Sequence, residues 1–296
     1  MRFTVSRTLP LLLALFSAVQ LASGNPIAAR NNGNGNGDWE EAIKAQKDAR
    51  ECVKRKGIVK AIYNQTLAVN NPLGILSGKI DISNLFHPDV RARVTPLGDF
   101  EGRAGVEEYF YGLGAGIVRI VFKKLLCDPS NGIVSAHVHL VSDQPPLYSN
   151  YTHVGYWQFN DTTGTVNSAD VNFVMLGLLS NPTLADPTVY VQGACALATL
   201  GLGKNTSVPA GTCVKYQNDT KFVGNTPEEM YADCTKFLTS IDLGTWDAVN
   251  QNTTVCRFLH AQLTQFRPEV HCAHVGRTGG GKCVLHSWQD YYTKDF

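Results

Sequence analysis

The sequence predicts an α+β protein: helices first, then an antiparallel sheet, then a mainly helical extension stapled by disulfides. Three observations carry that prediction. Apolar residues recur at helical spacing in the first part of the chain, the period turns strand-like between residues 117 and 179, and six of the eight cysteines follow residue 182.

The N-terminus has Arg2 and Arg7, an apolar run over 9–21, and then Ala22-Ser23-Gly24. That is the charge, core and small-residue order of a secretory signal, so residues 1–24 read as a signal peptide and the protein as secreted and extracellular. Residues 25–37 read as a flexible lead-in or a pro-segment ending at Arg30, because NNGNGNG over 31–37 has no apolar surface to bury. Sequons at Asn64, Asn150, Asn160, Asn205, Asn218 and Asn252 fit a glycosylating route, whereas Asn181 is excluded by Pro182. No later segment is apolar enough for a transmembrane helix, so no membrane partner is expected. A net charge of +1 gives no electrostatic case for nucleic acid.

Asp38 with Glu41 has the form of a capping box, and Lys54, Arg55 and Lys56 precede Gly57, which predicts a helix stopping there. Trp39, Ile43, Ala49 and Val53 give it an apolar side. A second helical piece is expected over 58–69, ended by Asn70-Asn71-Pro72. Within residues 81–113, a turn containing Ile82, Leu85 and Phe86 ends at His87-Pro88, and a strand-like RARV follows. Residues 99–102 then lead into a helix whose Val106, Tyr109, Phe110 and Leu113 share a face. Four strand runs are expected at 117–127, 133–142, 150–159 and 168–178, separated by turn signals at 128–132, 143–146 and 161–164.

The order of signals in DISNLFHPDVRARVTPLGDFEGRAGVEEYFYGL, followed by that meander, resembles the opening of a SnoaL-like domain of the nuclear transport factor two superfamily, over residues 38–180. The resemblance implies a cone fold and, through the outer sheet face, a possible homodimer. Such cones include cyclases, dehydratases, isomerases and binding modules, so chemistry must be read from the site. An acid on the last strand, Asp170, is similar in place to the general acid/base of SnoaL-like cyclases. Histidines on middle strands resemble those of scytalone dehydratase.

Which face is internal follows from Asn150. A glycan there must project into solvent, and strand side chains alternate, so Tyr151, His153, Gly155, Trp157 and Phe159 should face inward as an aromatic wall with one imidazole. His137 and His139 share one face of the preceding strand, opposite Val134, Ala136, Val138 and Leu140. They lie either on the outer face or inside the cone as acid and base. On the last strand Asp170 and Asn172 alternate with Val171 and Phe173. A His153–Asp170 pair sharing the cavity would suit proton transfer, and Asp170 as a hydrogen-bonded strand residue is the structural alternative. Tyr109 is a core residue or a ligand contact, while Asp99 and Glu101 read as solvated turn residues.

Residues 183–296 read as the cysteine-rich extension. Thr226-Pro227-Glu228-Glu229 is a helix start, with Met230, Cys234, Phe237 and Leu238 on its buried side. A second helix over 252–266 buries Val255, Cys256, Leu259, Leu263 and Phe266, and the two are expected to form a hairpin docked on the cone. The even cysteine count in a secreted chain favours four bridges. Sequence proximity suggests Cys195–Cys213, Cys234–Cys256 and Cys272–Cys283, leaving Cys52–Cys127, with Gly276 and the glycines at 279–281 turning the chain between Cys272 and Cys283. No metal or other cofactor is required. His260, His271, His274 and His286 are the residues a histidine-only zinc or copper site would use. HCAHVGRTGGGKC is similar to a tail of secreted fungal proteins with this kind of domain, and no activity attaches to it.

The function expected is therefore a secreted glycoprotein whose cone binds a small apolar or aromatic molecule. The alternatives are a cofactor-independent lyase, isomerase or cyclase using His153, Asp170, His137 or His139, and a structural or interaction protein with a filled cone.

Overall fold

A computed structural model describes residues 36–113, 116–142, 150–174, 186–201, 213, 216, 222–287 and 289–290. The signal peptide, the lead-in up to residue 35, the turn at 143–146, the end of the last strand, the boundary at 181–182, and Asn205 and Asn218 lie outside the described residues. Residues 45–296 form one compact unit, and residues 1–44 form another, of which only the first turns of one helix are described.

Helix α1 (Asn36–Asn64) is continuous through Gly57, where a stop was expected. Gly57 costs about 1 kcal/mol relative to alanine in a helix interior. Tertiary contacts on both sides of it outweigh that cost. Before it, Cys52 is bridged to Cys127, and buried Arg55 donates to the Asp161 carboxylate at 2.8 Å and to the Pro129 carbonyl at 3.3 Å. After it, Val59, Ile62 and Tyr63 are completely or almost completely buried. The apolar side read from Trp39, Ile43 and Val53 is instead exposed.

After the short helix α2 (Pro72–Leu76), strand β1 (Phe86–Thr95) already contains His87 and Pro88, and β2 (Gly98–Glu101) pairs with it, so Asp99 and Glu101 are strand rather than turn residues. Helix α3 (Gly102–Glu107) continues into a π-helical turn over Glu108–Gly112 that buries Glu108, Tyr109, Phe110 and Tyr111 together. The meander follows as β3 (Ile117–Asp128), β4 (Ile133–Ser142), β5 (Asn150–Phe159) and β6 (Val166–Val174). The sheet order is β2-β1-β6-β5-β4-β3. The meander pairs are antiparallel, as the turn signals require, and β1 joins β6 in parallel, making a curved mixed sheet. The sheet has the curved form expected of a cone, with the end of α1 laid against its inner face.

The extension contains α4 (Pro187–Cys195), α5 (Pro227–Thr239), α6 (Thr254–Leu263) and α7 (Pro268–Val275). Helix α5 starts as its sequence requires: the Thr226 hydroxyl accepts from the Glu229 amide, and the Glu229 carboxylate accepts from the Asn225 amide. Helix α6 ends at Leu263, and Pro268 opens α7. Instead of forming a simple hairpin with α5, α6 packs chiefly on α4 and α7. Tyr190, Trp246, Val255, Leu259 and Leu263 belong to the same contiguous core as the sheet.

All eight cysteines are bridged. Cys52–Cys127 is as expected, but the others are Cys195–Cys234, Cys213–Cys272 and Cys256–Cys283. Pairing follows helix packing rather than sequence distance: α4 touches α5, and the first turn of α6 meets the turn after α7. Gly279, Gly280 and Gly281 have φ of 70°, 54° and 79°, so the glycine turn exists, but it carries Cys283 to Cys256.

Candidate functional site

Strand alternation decides which side chains enter the cone. On β5, His153, Trp157 and Phe159 are buried and Tyr151 is half-buried, while Asn150, Val154 and Tyr156 are exposed. On β4 the buried set is Val134, Ala136, Val138 and Leu140. His137 and His139 therefore lie on the outer face, their rings 5.2 Å apart, and cannot serve as acid and base in the cavity. On β6, Ala169 and Val171 are buried and Phe173 packs against the core, whereas Asp170 and Asn172 take the opposite parity. Asp170 is ion-paired to Arg93 on neighbouring β1, with Arg93 Nε donating at 3.1 Å. Asn172 is exposed. The pairing of His153 with Phe173, and of Tyr156 with Asp170, puts His153 and Asp170 on opposite sides of the sheet. A His153–Asp170 proton-transfer pair is excluded by that register, and Asn172 does not reach the cavity.

The cavity itself is small and apolar. It measures ≈ 50 Å³ and is lined by Tyr63, Thr66, Tyr109, Tyr151, His153 and Phe173, with aliphatic residues around them. The deeper part of the cone is filled: the Tyr63 ring sits 5.7 Å from Trp157 and 5.9 Å from Phe122, and Phe110 lies 5.3 Å from Trp157. The lining comes from the start of β3, the end of β4, the start of β5 and the end of β6. Tyr63 was legible only as a helical residue; its spacing from Val59 and Ile62 was the available sign of an inward face.

His153 is the one titrating imidazole at this cavity. Its ring lies 4.0 Å from Phe173, edge to face, and neither ring nitrogen has a hydrogen-bond partner among the described residues. The Thr66 hydroxyl is already committed to the Tyr63 carbonyl at 2.7 Å. Burial pushes the His153 pKa from 6.5 down to about 3, so the ring is neutral, with one donor and one acceptor to offer.

The sign of the resulting pH dependence is fixed. Below its ordinary pKa the unfolded chain takes up a proton that folded His153 refuses, so stability falls as pH drops from 6.5 toward 3. The contribution is about 2 kcal/mol between roughly pH 7 and pH 5. Urea midpoints at the two pH values should show His153→Phe losing less stability on acidification than the parent. Identical losses would mean that His153 is not a buried neutral group.

The metal candidates separate into three and one. His260 on α6 and His271 and His274 on α7 are buried within one group. His286 stands apart, its Nε2 3.1 Å from the Lys282 carbonyl oxygen. Burial and the neighbouring histidines hold the His260 pKa well below its usual value. His274 is pushed to about 3, chiefly by burial. Of the expected sequons, Asn64, Asn150 and Asn252 are exposed, and Asn160 is partly buried, with its side-chain oxygen accepting from the Thr162 and Thr163 amides.

Residues 213–286 match the BfoA family C-terminal domain, a span that holds five of the cysteines and the histidine group. Two fungal proteins are similar over most of the chain. Bifonsecin B biosynthesis cluster protein A of Aspergillus brasiliensis is 28% identical over 212 residues, 68% of this chain and 70% of that protein. Aurasperone B biosynthesis cluster protein A of Aspergillus niger is 28% identical over 212 residues, 68% of each. Solved structures that align with the chain include the epoxide hydrolase/cyclase-like enzyme SalBIII, at 18% identity and a TM-score of 0.32, covering 41% of this chain and 92% of that one. A steroid delta-isomerase from Pseudomonas aeruginosa aligns at 13% identity and a TM-score of 0.32, covering 43% and 83%.

Proposed function

We propose that this protein binds a compact apolar or aromatic molecule in its cone, with His153 as the polar contact and Tyr151, Trp157, Phe159 and Tyr109 forming or backing the apolar wall. The observation that carries this reading is the pair of unpartnered nitrogens of a buried, neutral imidazole lining an otherwise apolar cavity. Leaving such groups unpaired costs about 1–3 kcal/mol each, a cost that a bound hydroxyl or carbonyl removes. A neutral histidine without a carboxylate partner suits recognition better than paired acid and base catalysis. The similarity to fungal biosynthesis cluster proteins supports a role beside a biosynthetic small molecule, and four disulfides support residence in an oxidising compartment, reached by secretion.

One observation favours a second reading. Ligand pockets usually span about 300–1,000 Å³. A cavity of ≈ 50 Å³ has room only for a few waters or a small group, as in a cone filled to act as a scaffold. Titration with 2-naphthol, followed by tryptophan fluorescence, separates the two. Binding predicts saturable quenching that His153→Phe weakens about tenfold, the equivalent of one hydrogen bond of roughly 1.4 kcal/mol. A flat titration of the parent protein would support the scaffold reading.

A further inference from the structure

Three histidines of the extension meet in a way that hydrogen bonding alone does not satisfy. His260, His271 and His274 are 2%, 1% and 8% exposed. His260 Nδ1 lies 3.0 Å from His271 Nδ1, 3.2 Å from His274 Nδ1 and 3.3 Å from the Tyr109 hydroxyl. An imidazole nitrogen offers either one hydrogen or one lone pair in its ring plane, yet three polar atoms crowd this one.

Glu108 narrows the choices. Its Oε2 lies 2.9 Å from His271 Nε2, and both side chains are buried. The contact does not have hydrogen-bond geometry, but the carboxylate charge beside Nε2 favours the ring hydrogen there, which leaves a lone pair on Nδ1 facing His260. If His260 Nδ1 donates to that lone pair, it has nothing left to accept from His274. If it keeps its own lone pair, two lone pairs face each other at 3.0 Å. A cation between the nitrogens resolves both conflicts.

The spacing fits one. Imidazole nitrogens about 2.0–2.1 Å from a tetrahedral zinc ion lie roughly 3.3 Å from each other, near the 3.0 and 3.2 Å seen here. Cys256 and Cys283 also come close to His260, but they are bridged to each other and supply no thiolate, so the donor set is nitrogen.

We propose that His260, His271 and His274 bind one Zn²⁺ ion through their imidazole nitrogens, with the Glu108 charge 2.9 Å from His271 Nε2 favouring the tautomer that ligates through Nδ1. A carboxylate behind a metal-bound histidine is the usual means of fixing ring orientation and raising ligand basicity. His271 and His274 also line a surface pocket of ≈ 300 Å³ with Glu108, Tyr109 and Lys282, which gives the ion an entry path and leaves a fourth position for water or a small ligand. Tyr109 lines both this pocket and the cone cavity, but the metal site does not depend on the cone holding a ligand.

The test uses the full secreted chain, stripped with EDTA and with its bridges verified intact by thiol titration. Calorimetric titration with Zn²⁺ alone should give one ion per chain, and Co²⁺ substitution should give the visible bands of a tetrahedral nitrogen site. His274→Gln, at the least buried ligand, should weaken Zn²⁺ binding about a hundredfold, and Glu108→Gln about tenfold, while keeping all three ligands. His286→Gln should leave affinity unchanged. Absence of Zn²⁺ binding, or equal affinity in the parent and in folded His274→Gln, would overturn the site. So would a loss of affinity in His286→Gln as large as that in His274→Gln. Should His274→Gln fail to fold, Glu108→Gln decides: an unchanged affinity there removes the proposed carboxylate support and overturns the arrangement.

Discussion

Gly155→Ala is expected to cost about 3–5 kcal/mol of stability, the range of a severe core substitution. A Cβ at this position would stand 2.2 Å from the Asp170 carbonyl oxygen and 2.7 Å from the Val171 Cα. Both neighbours are backbone of the paired strand β6, so no side-chain rotation relieves the clash. The sheet must separate locally, which disturbs the β5–β6 ladder between His153 and Trp157 and strains the Arg93–Asp170 pair on the outer face. Gly57→Ala supplies the contrast. Nothing lies within 4 Å of a Cβ there, and the position is an exposed helix interior. That change should stabilise by roughly 0.5–1 kcal/mol. Denaturant midpoints of the two variants check both signs, and a Gly155→Ala protein as stable as the parent would show that the two strands are not so closely paired.

Gly155 also shows where sequence reading stops. Alternation along a strand is local information, so one exposed position, Asn150, sufficed to place His153, Trp157 and Phe159 inside. Register between strands is not local. Asp170 could be assigned to a face only by knowing that His153 lies opposite Phe173, and the sequence holds no turn between β5 and β6 tight enough to fix that pairing. The same limit applies to the parallel β1–β6 contact, which is made by strands far apart in the chain. Helix starts fared differently: the Thr226 hydroxyl accepts from the Glu229 amide and the Glu229 carboxylate accepts from the Asn225 amide within one turn, so their pattern and their structure coincide. Helix ends depend on what the next turn can bury, and Gly57 could not report that Val59, Ile62 and Tyr63 would pack inside the cone. The histidine group had a visible signal in its crowding of residue types, but Glu108, whose carboxylate lies 2.9 Å from His271, comes from a π-helical turn more than a hundred and fifty residues earlier, with no metal-site spacing to reveal it.

Arg257→Met should cost about 3–5 kcal/mol, because it leaves several buried carbonyl oxygens without their donor, at about 1–3 kcal/mol for each one that water does not reach. Arg257 is 0% exposed, and burial lowers its pKa to about 10. Its guanidinium donates from Nε to the Gly276 carbonyl at 3.3 Å and from Nη1 to the Thr253 carbonyl at 3.1 Å. Nη2 donates to the Asn252 side-chain oxygen at 2.9 Å and to the Arg277 carbonyl at 3.3 Å, and the Phe237 ring lies 5.2 Å away. These acceptors are the chain before α6 and the chain after α7, so one planar fork fixes how the two helices cross. It acts one turn from His260 and beside the Cys256–Cys283 bridge. Because the acceptors are carbonyls spread around a plane, geometry rather than charge sets the value of the interaction. Arg257→Lys, which keeps the charge on a single point, should therefore recover less than half of the loss. The penalty should also change little with salt, since none of these bonds is an ion pair. Urea unfolding of both variants at low and high salt tests each part: full rescue by lysine, or a penalty that disappears in salt, would show that α6 and α7 are held together by charge rather than by the shape of this fork.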